Sequence, residues 1–318
     1  MSNDRRMLAI VRTARGTAEL RHVATPEPAA GERLVRVCFS GLNPFDLQVR
    51  DGDIGPTDEP LILGAEAVGV CDGDWVTVGG SGVGAVRNGT LAEWVAVPDA
   101  AVRMLPGDLD PVLGATVGIA GKTAWRAVHQ LAKVEASDVV LVLGASGGVG
   151  SYACQLAAAT GARVVAHTGS GTKAAALQDK GLETVVAEDG ATLSAALMEA
   201  GTANQVSVVL DPLAGDYFSA LQGVIAPRSR IVTYGALAGR MTALDLGTFY
   251  RQGHHMMGTS GGTTTGAESD RAYEGAMAAA ASGALKVAVE RVSIAAAVSA
   301  MGRLQSRSVL GKLVVDLT

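Results

Sequence analysis

Over the first hundred residues, apolar and polar positions alternate in short runs with a period of two. Leu8–Arg12 and Ala18–His22 flank Gly16 as the arms of a hairpin, and Arg33–Cys38 alternates as a half-buried strand does. Leu61–Gly69, Trp75–Val78 and Ala92–Val97 are further strands, the last following the turn pair Asn88-Gly89. Turn residues such as Pro26, Pro28, Gly31, Pro60 and Pro98 punctuate this region as they do in compact all-β barrels. Near residue 110 the pattern changes. Apolar strands at Val139–Leu143, Arg163–His167, Thr184–Ala187, Val206–Leu210 and Arg230–Thr233 then alternate with helical segments. Those helices are Gly148–Thr160, Thr172–Lys180, Thr192–Ala200 and Ala214–Val224. This alternation predicts an α/β fold with a doubly wound parallel sheet. The tail returns through a helix (Ser269–Ala281), a strand (Leu285–Val292), a helix (Ile294–Gln305) and a last strand (Lys312–Leu317).

The most informative segment joins the first buried strand to its helix: Gly144-Ala145-Ser146-Gly147-Gly148-Val149-Gly150. Glycines let the backbone approach a pyrophosphate, and the helix start offers unpaired N–H groups and a positive dipole end. A glycine cluster is weak by itself, but this one has the strand–turn–helix context that a dinucleotide site requires. A site for NAD places an Asp or Glu at the end of the next strand, about 20 residues on, to bind the ribose 2′-hydroxyl. Here that strand runs into Thr168, Gly169, Ser170, Gly171, Thr172 and Lys173, with no carboxylate before Asp179. Hydroxyls and an ammonium suit a 2′-phosphate, so NADP(H) is the expected cofactor. Lys173 also has an ordinary reading, as a solvated helix residue.

Composition narrows the function classes. The 318 residues are 48% hydrophobic and 18% charged, which supports a packed core and excludes intrinsic disorder. A formal charge of -5 argues against a nucleic-acid partner, which needs a basic face. The uncharged stretch Val139–Ala162 is long enough to cross a bilayer, but its glycine-rich middle reads as a turn, so no membrane span is expected. Three scattered cysteines, Cys38, Cys71 and Cys154, form no disulfide framework and suit a reducing compartment, the cytoplasm. The apolar run Met7–Val11 after Met1–Arg6 is too brief for a leader.

The order of motifs resembles the medium-chain dehydrogenase/reductase superfamily, in its zinc-independent NADPH:quinone oxidoreductase branch. The pieces are Gly41-Leu42-Asn43-Pro44-Phe45-Asp46, Leu63-Gly64-Ala65-Glu66-Ala67-Val68-Gly69, Gly89-Thr90-Leu91-Ala92-Glu93-Trp94-Val95, Lys122-Thr123-Ala124-Trp125, the turn Gly144–Gly150, and Gly311-Lys312-Leu313-Val314-Val315. The resemblance implies a GroES-like β-rich catalytic domain from both chain ends (residues 1–115 and 268–318) and a Rossmann NADP(H)-binding domain (116–267). It also implies homodimers through the Rossmann sheet. Cofactor contacts then fall on Thr123, on Gly144 to Gly150, on Thr168, Ser170 and Lys173, and on the loop Tyr234-Gly235-Ala236.

Zinc-dependent relatives carry a Cys where this chain has Asn43 and a His where it has Ala65, so the resemblance implies no metal. Asn43 is then the candidate catalytic residue, as a donor to the acceptor carbonyl or a nicotinamide-ribose contact. Its bland reading is a turn with Pro44. Asp46 is expected to anchor that loop. Of His254 and His255, adjacent strand residues, at most one can face a site, and a structural or interface role is expected. Gln48 and Ile54 stand where quinone reductases of this type often carry tyrosines, a departure from the branch. The implied activity is hydride transfer from NADPH to a quinone or an α,β-unsaturated carbonyl. Two alternatives stay open: an enoyl reductase of lipid or polyketide synthesis, and a non-catalytic NADPH-binding redox sensor or scaffold.

Overall fold

A computed structural model of the chain describes residues 6–56 and 60–318. Met1–Arg5, the start of the segment read as too short for a leader, lies outside the described residues. The chain divides into two compact units, Met1–Ala120 with Ala276–Thr318, and Gly121–Gly275. The boundaries read from the sequence, after residues 115 and 267, fall a little earlier.

The first unit opens with the hairpin β1 (Arg6–Ala14) and β2 (Thr17–Ala24), turned at Gly16 with φ +78°. Then come β3 (Glu32–Leu42), the short helix α1 (Pro44–Arg50), β4 (Leu61–Ile62), β5 (Glu66–Cys71), β6 (Asp74–Gly79), β7 (Trp94–Pro98), β8 (Val102–Met104) and the single turn α2 (Pro111–Gly114). Two expectations change here. The strand expected over Leu61–Gly69 is broken, because Gly64 sits at φ +101° and a Cβ on it would lie 2.5 Å from the Leu91 nitrogen. The Asn43-Pro44 pair does not end in a loop but starts α1. Proline is favoured in a first helical turn because its missing N–H would be unpaired there anyway.

The second unit begins with α3 (Lys122–Trp125), held within π-helical turns. It continues as β9 (Val139–Val142), α4 (Gly148–Ala159), β10 (Arg163–Thr168), α5 (Gly171–Gln178), β11 (Glu183–Val186), α6 (Gly190–Glu199), β12 (Val208–Asp211), α7 (Gly215–Leu221), β13 (Arg230–Thr233), α8 (Leu246–Gln252), β14 (His255–Gly258) and the start of α9 (Gly266–Ala281), whose residues from Ala276 on belong to the first unit. The six strands pair in parallel in the order β11-β10-β9-β12-β13-β14. β9 and β12 are near-continuous apolar runs because helices cover both faces of such a sheet. Leu141, Val165, Val209 and Ile231 from four strands meet Leu193, Leu197, Phe218 and Leu221 in one core.

The chain finishes with β15 (Val289–Ser293), α10 (Ala297–Gln305) and β16 (Lys312–Asp316). β16 returns antiparallel to β3, so Leu313 faces Leu42 in register. That pairing brings the far end of the chain to the start of α1. β15 begins four residues later than its apolar pattern suggests, at Val289 rather than Leu285.

Candidate active site

In a parallel sheet all strands end on the same side, and this strand order sets the carboxyl ends of β10, β9, β12 and β13 next to one another. β9 has β10 on one side and β12 on the other, which makes it the switch point where open α/β sheets bind ligands. The glycine turn follows β9 directly. Gly144 adopts φ +62°, in the left-handed region, and the Gly147 N–H donates to the Gly144 carbonyl at 3.0 Å. A Cβ on Gly150 would stand 2.3 Å from Gly144 O and 2.7 Å from Ala145 Cα, so the turn folds tightly onto its own helix. The first N–H groups of α4 have no partner within the helix.

β10 closes the other side of the turn. The buried Ser146 and Thr168 hydroxyls lie 3.4 Å apart. His167, a residue the sequence reading left without a role, pins the turn to the sheet. Its Nδ1 accepts from the Gly144 N–H at 3.3 Å, its Nε2 lies 2.9 Å from Ala187 O, and its carbonyl accepts from the Ala145 N–H at 2.9 Å. This arrangement is that of a neutral ring protonated on Nε2. Burial pushes its pKa down to about 4, against the hydrogen bond to Ala187. Ser170 precedes α5, and Lys173 occupies the first turn of that helix, half-buried, with its ammonium pKa lowered by burial.

Tyr234, Gly235 and Ala236 follow β13 at the same side of the sheet. Gly235 is needed there, since a Cβ would lie 2.7 Å from Pro212 O. The Tyr234 hydroxyl is buried without a protein partner, and burial, then Asp211 and Cys154, hold its pKa well above the usual phenol value. Asp211, at the end of β12, accepts from the Leu213 and Ala214 N–H groups on Oδ1, while Oδ2 has no protein partner. Thr123 is half-buried on α3, which packs against α4.

The first unit holds the other candidate. Asn43 is 3% exposed, and its side chain is engaged on every side. Nδ2 donates to Glu66 Oε1 at 2.8 Å and to Gly41 O at 3.3 Å, and Oδ1 accepts from Lys312 Nζ at 2.6 Å. Its backbone N–H donates to Asp46 Oδ2 at 2.8 Å, which gives Asp46 the anchoring task expected of it. Burial pushes the Asp46 carboxyl up to about 7. The Asn43 N–H and Lys312 pull the other way, and Glu66 adds to the rise. Glu66 and Lys312 lie inside the motif segments but carry no charge-pair signature in the sequence. Gln48 is exposed on α1, and Ile54 packs on the apolar core beneath it.

The adjacent histidines separate as their spacing requires. His254 is buried edge-on to Phe249 with both ring nitrogens unpartnered, and His255 is exposed on β14. The three cysteines are buried and unpaired, and burial pushes the Cys154 thiol up to about 12. Among the described residues, no helix is long and apolar enough to cross a membrane.

The residues 148–282 match the family model for a zinc-binding dehydrogenase, a span that reaches neither Asn43 nor Ala65. The chain spans about half the length of the first curated relatives it matches, 50% and 47%. A quinone oxidoreductase of Mus musculus is 30% identical, with 67% of each chain covered. Among solved structures, a candidate alcohol dehydrogenase from Sinorhizobium meliloti is 30% identical over 98% of this chain and 96% of its own, with a TM-score of 0.83. A mycobacterial protein solved in complex with NADPH is 27% identical over 98% and 99%, with a TM-score of 0.84. The chain belongs to the medium-chain dehydrogenase/reductase superfamily, in its quinone oxidoreductase branch.

Proposed function

We propose that this protein is an oxidoreductase that uses NADPH to reduce a quinone or an α,β-unsaturated carbonyl, without zinc. The observation that carries the reading is the end of β10, where Thr168, Ser170 and Lys173 stand in place of a ribose-binding carboxylate. The residues present fit a dinucleotide phosphate. The first N–H groups of α4 and its positive end suit the pyrophosphate, and two hydroxyls with a half-buried ammonium suit the 2′-phosphate. NADPH, when bound, supplies the hydride. The NADPH complex of the mycobacterial relative and the quinone oxidoreductase name of the mouse relative support the same reading.

Zinc is left out on the chemistry of the side chains. Asn43 and Ala65 are not the thiol and imidazole of zinc-dependent relatives. Among the described residues, no group of three His, Cys, Asp or Glu could hold a metal ion. Three buried thiols suit a cytoplasmic enzyme. The same reading has the protein act as a homodimer joined through the parallel sheet.

Fluorescence titration tests the cofactor, and NADPH is expected to bind at least tenfold tighter than NADH, about 1.4 kcal/mol. Lys173→Ala should weaken NADPH and leave NADH nearly unchanged. NADPH oxidation is then followed against quinones, enones and enoyl thioesters with EDTA present throughout. Equal affinity for the two cofactors, or activity abolished by the chelator, overturns the corresponding part.

A further inference from the structure

Inside the first unit, three oxygens converge on the Lys312 ammonium: Asn43 Oδ1 at 2.6 Å, Glu66 Oε1 at 2.9 Å and Leu42 O at 3.1 Å. Lys312 and Glu66 are 4% and 2% exposed. Glycines leave the room this requires. A Cβ on Gly41 would lie 2.7 Å from Glu66 Oε1, and one on Gly118 would lie 3.0 Å from Glu66 Oε2. Desolvating an ammonium is costly, and a buried ion pair often stabilises a fold no better than apolar residues of the same volume. What this pair does is fix an arrangement. An asparagine amide has two orientations that exchange its oxygen and nitrogen. With an ammonium on one side and a carboxylate on the other, only one orientation satisfies both. Glu66 carries the constraint further, because its Oε2 accepts from the Ile119 N–H at 2.7 Å, in the turn just before Thr123.

We propose that Lys312 is a positioning residue: it locks the Asn43 amide so that one N–H is fixed on Glu66 and the other is left on the weaker bond to Gly41 O. That second N–H rests on Gly41 O at 3.3 Å, a long bond for which the carbonyl oxygen of an acceptor can compete. The inference deepens the reductase reading and rests on it, with Asn43 as donor to the acceptor carbonyl. Lys312 touches neither cofactor nor acceptor in this scheme and acts through Asn43 alone.

The chain has four asparagines, at positions 3, 43, 88 and 204, so selective side-chain 15N labelling gives few amide pairs to assign. In the wild type the Asn43 pair is expected to be shifted away from the others and protected from solvent exchange. Lys312→Ala should lose that shift and protection, lower kcat at least tenfold, and leave the Kd for NADPH within twofold. Propylammonium, which restores the missing atoms, should bring back both the Asn43 signal and kcat. If Lys312→Ala does not fold, Lys312→Arg keeps the cation and should keep the shifted Asn43 pair with a reduced kcat. An unmoved Asn43 pair with unchanged kcat in Lys312→Ala overturns the proposal. So does a melting temperature restored by propylammonium without the Asn43 signal, or a Lys312→Arg protein in which the pair is lost while kcat is kept. If the wild type reduces no acceptor, the reductase reading fails, and the Asn43 signal still decides whether Lys312 orients that amide.

Discussion

Two buried side chains, His167 and Asp46, titrate in opposite directions on folding, and their signs decide how acid acts on each unit. The His167 pKa falls from 6.5 to about 4, so the unfolded chain binds this proton more readily between those values. Its contribution is whole above pH 6.5 and is lost as pH falls towards 4, on the order of 3 kcal/mol in all. Asp46 rises from 3.8 to about 7, so the native chain is the one that binds its proton. Its contribution is whole below pH 3.8 and is lost as pH rises through 7, an effect of similar size and opposite sign. The wild-type profile therefore conceals both. His167→Gln, which keeps a polar side chain at the turn, exposes one of them. The stability difference between wild type and His167→Gln, from urea denaturation, should shrink by about 3 kcal/mol between pH 7 and pH 4. A difference independent of pH would mean that the imidazole is not held neutral against the Gly144 N–H.

At the scale of elements, the strand–turn–helix from β9 to α4 uses its glycines for two purposes. Gly150 has no room for a side chain, since the atoms a Cβ would meet are backbone of the same turn. Gly147, at the start of α4, has ordinary backbone angles, and a Cβ there would sit 3.4 Å from Gly144 O. Gly150→Ala should cost about 1–3 kcal/mol of stability as overpacking. Gly147→Ala should cost less than about 1 kcal/mol, the range of an unfavourable helix-cap change. It should nevertheless weaken NADPH at least tenfold, because in the proposed function the pyrophosphate needs the close backbone approach that glycine leaves open. Thermal denaturation beside fluorescence titration separates the two, and the reverse pattern would show that the turn serves only packing. The strand–turn–helix itself was legible because it is written locally, in an apolar strand, a glycine-rich turn and a helix start. The parallel strands β9, β10, β12 and β13 were legible too, since their apolar runs are long enough to fix burial on both faces. α1 was hidden because Asn-Pro followed by Asp reads equally as a turn and as a capped helix start. α8 has no fully buried residue and so shows no apolar stripe. The Glu66–Lys312 contact joins positions 246 residues apart, and no local pattern encodes such a pair.

For the whole molecule, the two edges of the parallel sheet differ in a way that bears on self-association. β11 guards one edge with Glu183, bound through both carboxylate oxygens to Arg163 on the neighbouring strand. β14 forms the other edge and reads His255-Met256-Met257-Gly258, with no Lys, Arg, Asp or Glu. Met256 is 47% exposed there, and Tyr250 of the preceding α8 is 71% exposed. Natural sheets protect an open edge with charge, proline or a covering element, because unpaired N–H and C=O groups otherwise recruit another strand. An uncharged edge beside exposed apolar groups is suited to a copy of itself. A two-fold pairing is self-complementary and closes after two chains. With 32.2 kDa per chain, light scattering should give a mass of twice that value. Met256→Lys places a charge on the edge, outside the glycine turn. It should return the protein to a single-chain mass while the affinity for NADPH stays within about twofold, because surface changes away from a site rarely exceed about 0.5 kcal/mol. A wild type that runs as one chain, or a Met256→Lys protein that keeps the doubled mass, would rule out β14 as the joining edge.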